Sequence, residues 1–177
     1  MELFEDICKR YYDQDLGSFQ PFLNPEILDR LNENDYLRIP IYQGECQVIL
    51  MVWGIGAKTA IHDHGGSRGR VKVMKGCVTE KRYRFQNRKL EILSSEDHKP
   101  GEILDVAPDT IHAVSNKASE VSMTLHIYDI PSGSFEGTIL YDKENQKIGI
   151  LNNLATKASW KEKPEAFSRI TDFADMK

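Results

Sequence analysis

The chain has 177 residues, 40% of them hydrophobic, and a formal net charge of −4. This length is enough for one domain with a buried core, and we expect that domain to span residues 1–177. The lysines and arginines are scattered among acidic residues, and no apolar run approaches the roughly 20 residues that a membrane span needs. We therefore expect neither nucleic acid nor a membrane as a partner.

The beginning of the chain and its cysteines bear on the compartment. Three of the first six residues are acidic, and this start lacks the basic and apolar regions of a secretory signal. Cys8, Cys46 and Cys77 are odd in number and widely spaced, without a Cys-x-x-Cys motif, which argues against a disulfide framework. The sequence predicts a cytoplasmic protein in a reducing compartment, with Cys77 as a small core residue.

Residues 1–35 predict a short helical cap. Apolar residues recur at helical spacing between Leu3 and Tyr12, and a second short helix is predicted from Pro25 to Leu31. The segment 19–22 predicts a break between the two helices.

Residues 36–135 predict the core of a β-barrel. Short runs rich in β-branched residues, such as 47–53, 70–74, 81–85 and 90–93, are separated by glycine, asparagine and proline turns. Many short strands at regular spacing are typical of an antiparallel sandwich or barrel. Residues 136–177 add a final hairpin, Gly137 to Leu151, and a polar tail in which we expect disorder.

Three histidines form the clearest functional pattern. Residues i and i+2 of a strand point to the same face, so His62 and His64 can reach one ion while Asp63 faces away. His112 lies about fifty residues later and can complete the triad across the barrel. Imidazole suits iron, copper, nickel and zinc, and three histidines leave coordination positions open for chemistry. His98, in a polar run, is instead interpreted as a residue of a surface loop.

Residues 121–128 alternate without a fault between apolar and polar side chains. The polar face, which includes His126 and Tyr128, has two interpretations. It can be the solvated face of a half-exposed sheet, or it can line a cavity inside a small barrel and support the metal site.

These motifs resemble the cupins, and more narrowly the thiol dioxygenases that include cysteine dioxygenase. The positions of the two cupin motifs are held by Gly56, His62, His64 and Gly76, and then by Gly101, Pro108, His112 and Asn116. The narrower resemblance covers residues of about 36 to 130 and rests on Tyr36-Leu37-Arg38, Trp53-Gly54-x-Gly56, Ile61-His62-Asp63-His64 and Thr124-Leu125-His126-Ile127-Tyr128.

The resemblance implies a mainly β fold, a cupin jelly-roll barrel, and oxidation of L-cysteine by O2 to cysteine sulfinate at Fe(II). It implies that the metal ligands are His62, His64 and His112. It implies that Arg38 binds the substrate carboxylate beside Tyr36, and that Tyr128 is a catalytic residue whose hydroxyl is oriented by His126. Trp53 would form a wall of the pocket or a part of the core.

Two departures from the family pattern are informative. Ser67-Arg68-Gly69 occupies the stretch where many cupins place a glutamate ligand. Gly69 stands where animal cysteine dioxygenases carry a cysteine crosslinked to the active-site tyrosine, so no such crosslink is expected here. Glycine in that place resembles bacterial members of the family.

Other functions remain open at this stage. Relatives selective for 3-mercaptopropionate tend to have glutamine at the position of Arg38, so another small thiol is an alternative substrate. A non-enzymatic cupin that binds a metal or ligand is a further alternative, although it does not explain why Arg38, His126 and Tyr128 accompany the triad. We expect a monomer whose partners are a small thiol and O2.

Overall fold

The computed structural model describes residues 3–130 and 134–175, in which the chain forms two short α-helices and twelve strands. The helices are α1 (Phe4–Tyr12) and α2 (Pro25–Leu28). The strands are β1 (Tyr36–Gln43), β2 (Gln47–Trp53), β3 (Ile61–His62), β4 (Gly69–Lys75), β5 (Val78–Gln86), β6 (Lys89–His98), β7 (Ile103–Val106), β8 (Ile111–Ser115), β9 (Ser122–Tyr128), β10 (Ile139–Asp142), β11 (Lys147–Leu151) and β12 (Phe167–Asp172).

The strands form two antiparallel sheets that pack face to face as a jelly-roll barrel. One sheet has the order β1-β2-β9-β4-β7 and the other the order β12-β11-β10-β3-β8-β5-β6. Ile49, Met51 and Trp53 of β2 lie between the sheets with Val71 of β4 and Val114 of β8. The predicted fold class, a mainly β cupin barrel with a helical cap, is confirmed.

The helical cap covers the outer face of the first sheet. Phe4 and Ile7 of α1 pack on Val48 and Leu50 of β2 and on Ile127 of β9. Every residue of β2 is therefore buried, since one face points into the barrel and the other lies under the cap. This double burial explains why the run is apolar at nearly every position instead of alternating.

The cap differs in detail from the prediction. The predicted break at 19–22 is the end of a 3-10 helix, Leu16–Phe22, whose Phe19 is buried. The second helix ends at Leu28, three residues before the predicted Leu31, because the chain tightens there into i to i−3 turns, with the Leu31 amide donating to the Leu28 carbonyl (2.9 Å). No helix of the described residues is long and apolar enough to cross a membrane.

The polar face of β9 points into the barrel. Thr124 and His126 are buried between the sheets, whereas Leu125 and Ile127 lie under the cap. The cavity interpretation of this strand is confirmed, and the solvated-face interpretation is wrong, because the cap supplies the apolar partner that the outer face needs.

The tail is ordered over the described residues, contrary to expectation. The predicted hairpin is β10 and β11, and β12 adds to its edge. The segment between β11 and β12 packs Ala155, Ala158 and Ala166 against Leu140. The residues that pack here are small or aromatic and are spaced irregularly among polar residues. Such spacing gives no periodic pattern from which the packing could be predicted.

Candidate metal centre

The three histidines converge inside the barrel. His62 of β3 is the cross-strand partner of His112 of β8, and His64 follows two residues after His62. One ring nitrogen from each of the three lies within 4.8 Å of the others, and the ring centroids are 4.9 to 5.0 Å apart. The structure thus brings together the three residues that the sequence predicts as ligands.

Hydrogen bonds to the ring nitrogens show which atoms face the centre. The Nδ1 of His62 lies 3.0 Å from the Ala60 carbonyl, and the Nδ1 of His112 lies 2.6 Å from Oε1 of Glu80. Because a carbonyl and a carboxylate accept, each Nδ1 carries the proton, and each Nε2 keeps a lone pair for a ligand. A histidine that donates from one nitrogen and binds a metal through the other is the usual arrangement in proteins.

The donor set fits a bound transition metal. Both ring nitrogens of His64 are buried and have no hydrogen-bond partner among the described residues, and such orphaned atoms carry a desolvation cost that coordination would offset. Burial, followed by the neighbouring His112, lowers the pKa of His62 to about 3. Burial and the other two imidazoles likewise hold the pKa of His64 well below its ordinary value. The imidazoles of His62 and His64 are therefore neutral, as metal ligands must be.

Glu80 contacts His112, and it is not among the site residues predicted from the sequence. It is 3% exposed, and its second carboxylate oxygen accepts from Nε of Arg82 at 2.8 Å. Burial alone would raise the pKa of Glu80, but the bonds from His112 and Arg82 lower it below its usual value. The predicted strand began at Lys81, whereas β5 begins at Val78, so Glu80 was placed outside the strand. Glu80 lies two residues after Val78, and residues i and i+2 of a strand point to the same face. Extending the predicted strand back to Val78 would therefore have placed the Glu80 side chain inside the barrel.

His98, predicted in a surface loop, is instead the last residue of β6. Its side chain is 16% exposed and lies 3.6 Å from Glu102 and 4.0 Å from Glu80. Cys77, predicted as a core residue, is half-buried between β4 and β5, while Cys8 and Cys46 are buried; none of the three forms a disulfide within the described residues.

Arg38 of β1 lines the same cavity as the triad. Its Nη1 donates to the Thr156 carbonyl at 3.2 Å, and its guanidinium lies 4.4 Å from the centre of the Phe135 ring. Burial lowers the pKa of Arg38 from its very high ordinary value, but the group stays charged. None of its contacts within residues 3–130 and 134–175 is a carboxylate, and a half-buried guanidinium without an anionic partner favours an anionic ligand.

Tyr36 and Trp53 form an aromatic wall of the cavity. Their ring centroids are 5.1 Å apart, and both side chains are buried. Trp53 therefore fulfils both interpretations of the sequence, since it lines the cavity and belongs to the core.

A chain of hydrogen bonds runs along the inner face of β9. Trp53 Nε1 donates to the Thr124 hydroxyl (2.8 Å), which lies 2.8 Å from Nε2 of His126, whose Nδ1 lies 2.9 Å from the Tyr128 hydroxyl. Burial lowers the pKa of His126 to about 3 and raises the pKa of Tyr128 to about 12. Both groups are therefore uncharged near neutral pH.

Gly69 is the cross-strand partner of Tyr128. A Cβ atom at Gly69 would lie 2.5 Å from Cδ1 and 2.8 Å from Cε1 of the Tyr128 ring. The ring thus occupies the space that a side chain at residue 69 would need, which makes glycine the residue that fits here.

The fold and the histidine triad define a cupin barrel with a metal-binding site. A conserved protein with a double-stranded β-helix domain from Klebsiella pneumoniae subsp. pneumoniae is 16% identical, with a TM-score of 0.51, and the match covers 68% of this chain and 86% of that one. A sugar phosphate isomerase of the cupin superfamily from Silicibacter pomeroyi is 13% identical, with a TM-score of 0.51 and coverage of 81% of this chain and 83% of that one. At these identities the likeness is one of fold.

The family model for cysteine dioxygenase type I matches residues 24–142, about two-thirds of the chain. The chain belongs to this family. Membership and the three-histidine site together support a metal-dependent cupin dioxygenase.

Proposed function

We propose that the protein is an Fe(II)-dependent thiol dioxygenase that converts L-cysteine and O2 to cysteine sulfinate. The observation that carries the proposal is one cavity, in a chain of the cysteine dioxygenase type I family, that contains both the histidine triad and the unpaired cation of Arg38. L-cysteine offers a thiolate for a metal and a carboxylate for a guanidinium, so it matches both features. The sulfur atom gains two oxygen atoms, and one O2 is consumed for each sulfinate formed.

His62, His64 and His112 would hold the iron through their ring nitrogens. Bound Fe(II) would supply the redox chemistry that O2 needs in order to react with a thiolate. Three imidazole ligands would bring no negative charge to a bound divalent ion, which favours an anionic substrate ligand, and a thiol is deprotonated when it coordinates such an ion.

Arg38 would bind the substrate carboxylate. A guanidinium presents five N–H donors in a rigid planar group, and one of those of Arg38 donates to the Thr156 carbonyl. The remaining donors can form a bidentate pair, which fixes the orientation of the substrate as well as its charge.

Tyr128 would donate a hydrogen bond to the substrate. An indole N–H is only a donor, so the Thr124 hydroxyl accepts from Trp53 and keeps its own hydrogen for Nε2 of His126. The neutral His126 then carries its proton on Nδ1 and donates it to the Tyr128 oxygen. In this arrangement each N–H and O–H from Trp53 to His126 donates to the next residue of the hydrogen-bond chain. The Tyr128 O–H is then left to point into the cavity.

A cytoplasmic location accords with this function, because a reducing compartment keeps a thiol substrate and the three cysteines of the protein reduced. We also propose a monomer whose partners are the thiol and O2.

The test is oxygen uptake by anaerobically Fe(II)-loaded protein with L-cysteine, 3-mercaptopropionate and cysteamine, with the product identified by mass. We expect uptake chiefly with L-cysteine, at about one O2 per sulfinate. Arg38→Gln should shift the preference away from L-cysteine, whereas Arg84→Gln, on the exposed part of β5, should not. Oxygen uptake chiefly with another thiol would overturn L-cysteine as the substrate but keep a thiol dioxygenase. No uptake with any thiol would overturn the whole proposal.

A further inference from the structure

A segment outside the family match forms one side of the cavity. The match ends at residue 142, yet Ala158 is 3% exposed and lines the cavity that contains the histidine triad. The Ala158 carbonyl accepts from the Ala60 amide at 3.1 Å, and the Ala60 carbonyl in turn accepts from His62. The segment is therefore fixed to the residue that precedes β3, two positions before His62.

The same segment contacts both β1 residues of the pocket. The Thr156 carbonyl accepts from the Arg38 guanidinium at 3.2 Å. The Nζ of Lys157 lies 2.6 Å from the Asp35 carboxylate and 5.0 Å from the centre of the Tyr36 ring. The position of the guanidinium thus depends on where residues 156 and 157 lie.

Glu162 determines where those residues lie. One of its carboxylate oxygens accepts three hydrogen bonds: from the Thr156 amide (3.1 Å), the Thr156 hydroxyl (2.8 Å) and the Lys157 amide (2.7 Å). Hydrogen bonds to a charged acceptor are stronger than those between neutral groups, and three on one atom close residues 156–162 into a compact turn.

We propose that residues 156–162, here called the wall segment, determine the specificity of the pocket for thiols that carry a carboxylate, and that Glu162 is a positioning residue for Arg38. Glu162 fixes the Thr156 carbonyl, and that carbonyl holds the guanidinium where a substrate carboxylate can meet it. This inference rests on the proposed function in one respect, the role of Arg38 as the carboxylate-binding residue.

The test compares a thiol that has a carboxylate with one that lacks it. L-cysteine and cysteamine would be titrated into Co(II)-loaded protein, and thiolate binding followed by the sulfur-to-cobalt absorption band. In Glu162→Ala we expect the Kd of L-cysteine to rise about tenfold while that of cysteamine stays unchanged, because cysteamine makes no use of Arg38. Glu162→Gln keeps an acceptor oxygen and should restore most of the affinity. Glu165→Ala, at an exposed acid of the same region, is the matched control.

A second readout reports on the wall segment without metal or substrate. Trypsin cleavage after Lys157 should be faster in Glu162→Ala than in the wild type, Glu162→Gln or Glu165→Ala. Equal weakening of both thiols, or unchanged L-cysteine affinity in Glu162→Ala, would overturn the inference. L-cysteine binding without any turnover by the Fe(II) protein would instead overturn the proposed function and leave this inference standing.

Discussion

At the scale of single residues, Glu80 supports the metal centre through His112. A carboxylate that accepts from the far nitrogen of a ligating imidazole fixes its tautomer and raises its basicity. Glu80→Gln keeps an acceptor but removes the charge, so we expect the affinity for a divalent metal to fall about ten- to a hundredfold. Co(II) titration against a competing chelator would measure it.

The control for this prediction is Glu91→Gln, which removes an exposed partner of Arg84 on the same sheet. Its metal affinity should match that of the wild type, because exposed ion pairs contribute little. Equal affinity in the Glu80 and Glu91 variants would show that Glu80 has no role in metal binding.

Gly69 acts through the ring of Tyr128. The Cβ of Gly69→Ala would meet the ring at 2.5 Å, so Tyr128 must leave its place beside His64 (ring centroids 5.3 Å apart) and His126. We expect turnover to fall about ten- to a hundredfold, because the hydrogen bond proposed from Tyr128 to the substrate would be misplaced, and stability to fall by about 1–3 kcal/mol. Sulfinate formation and urea unfolding would measure the two effects. Wild-type values of both would show that the Tyr128 ring can move without loss of turnover or stability.

At the scale of elements, β12 forms one edge of the second sheet, and a short 3-10 helix, Phe173–Asp175, follows it. Phe173 is 2% exposed and packs edge to face on Phe85, with ring centroids 4.9 Å apart. Phe173→Ala should therefore destabilise the protein by about 3–5 kcal/mol, the usual cost of removing a buried phenylalanine. Ile170→Ala, at a residue of β12 that is 52% exposed, should stay within about 0.5 kcal/mol of the wild type. Urea unfolding that finds the two variants equally stable would mean that the tail adds nothing to the core.

The sequence predicts those elements in which polar and apolar residues alternate regularly, because this alternation shows which side chains are buried. The spacing of His62, His64 and His112 and the alternation of β9 place side chains on faces, and the structure brings these residues to one cavity. The wall segment gave no such signal, because a carbonyl of Thr156 and a carboxylate of Glu162 act by tertiary contact. Glu80 was missed because the limits of a strand are uncertain by a few residues.

At the scale of the whole molecule, the triad couples metal binding to stability. A ligand that binds only the folded state at a hundred times its Kd stabilises that state by about 2.7 kcal/mol. His64 is the informative position, because its ring nitrogens have no partner in the described part of the chain. His64→Ala therefore breaks no hydrogen bond of the metal-free protein.

His64 and His112 should respond differently to truncation. We expect metal-free His64→Ala to remain within about 1 kcal/mol of the wild type and to lose the Co(II)-dependent rise in melting temperature. His112→Ala should lose that rise as well, but it should also destabilise the metal-free protein by about 1–3 kcal/mol, because it removes a partner of the buried Glu80 carboxylate. Thermal unfolding of each variant with and without Co(II) would separate the two effects. A Co(II)-dependent rise that persists in His64→Ala would show that His64 is not required for metal binding and would overturn its assignment as a ligand.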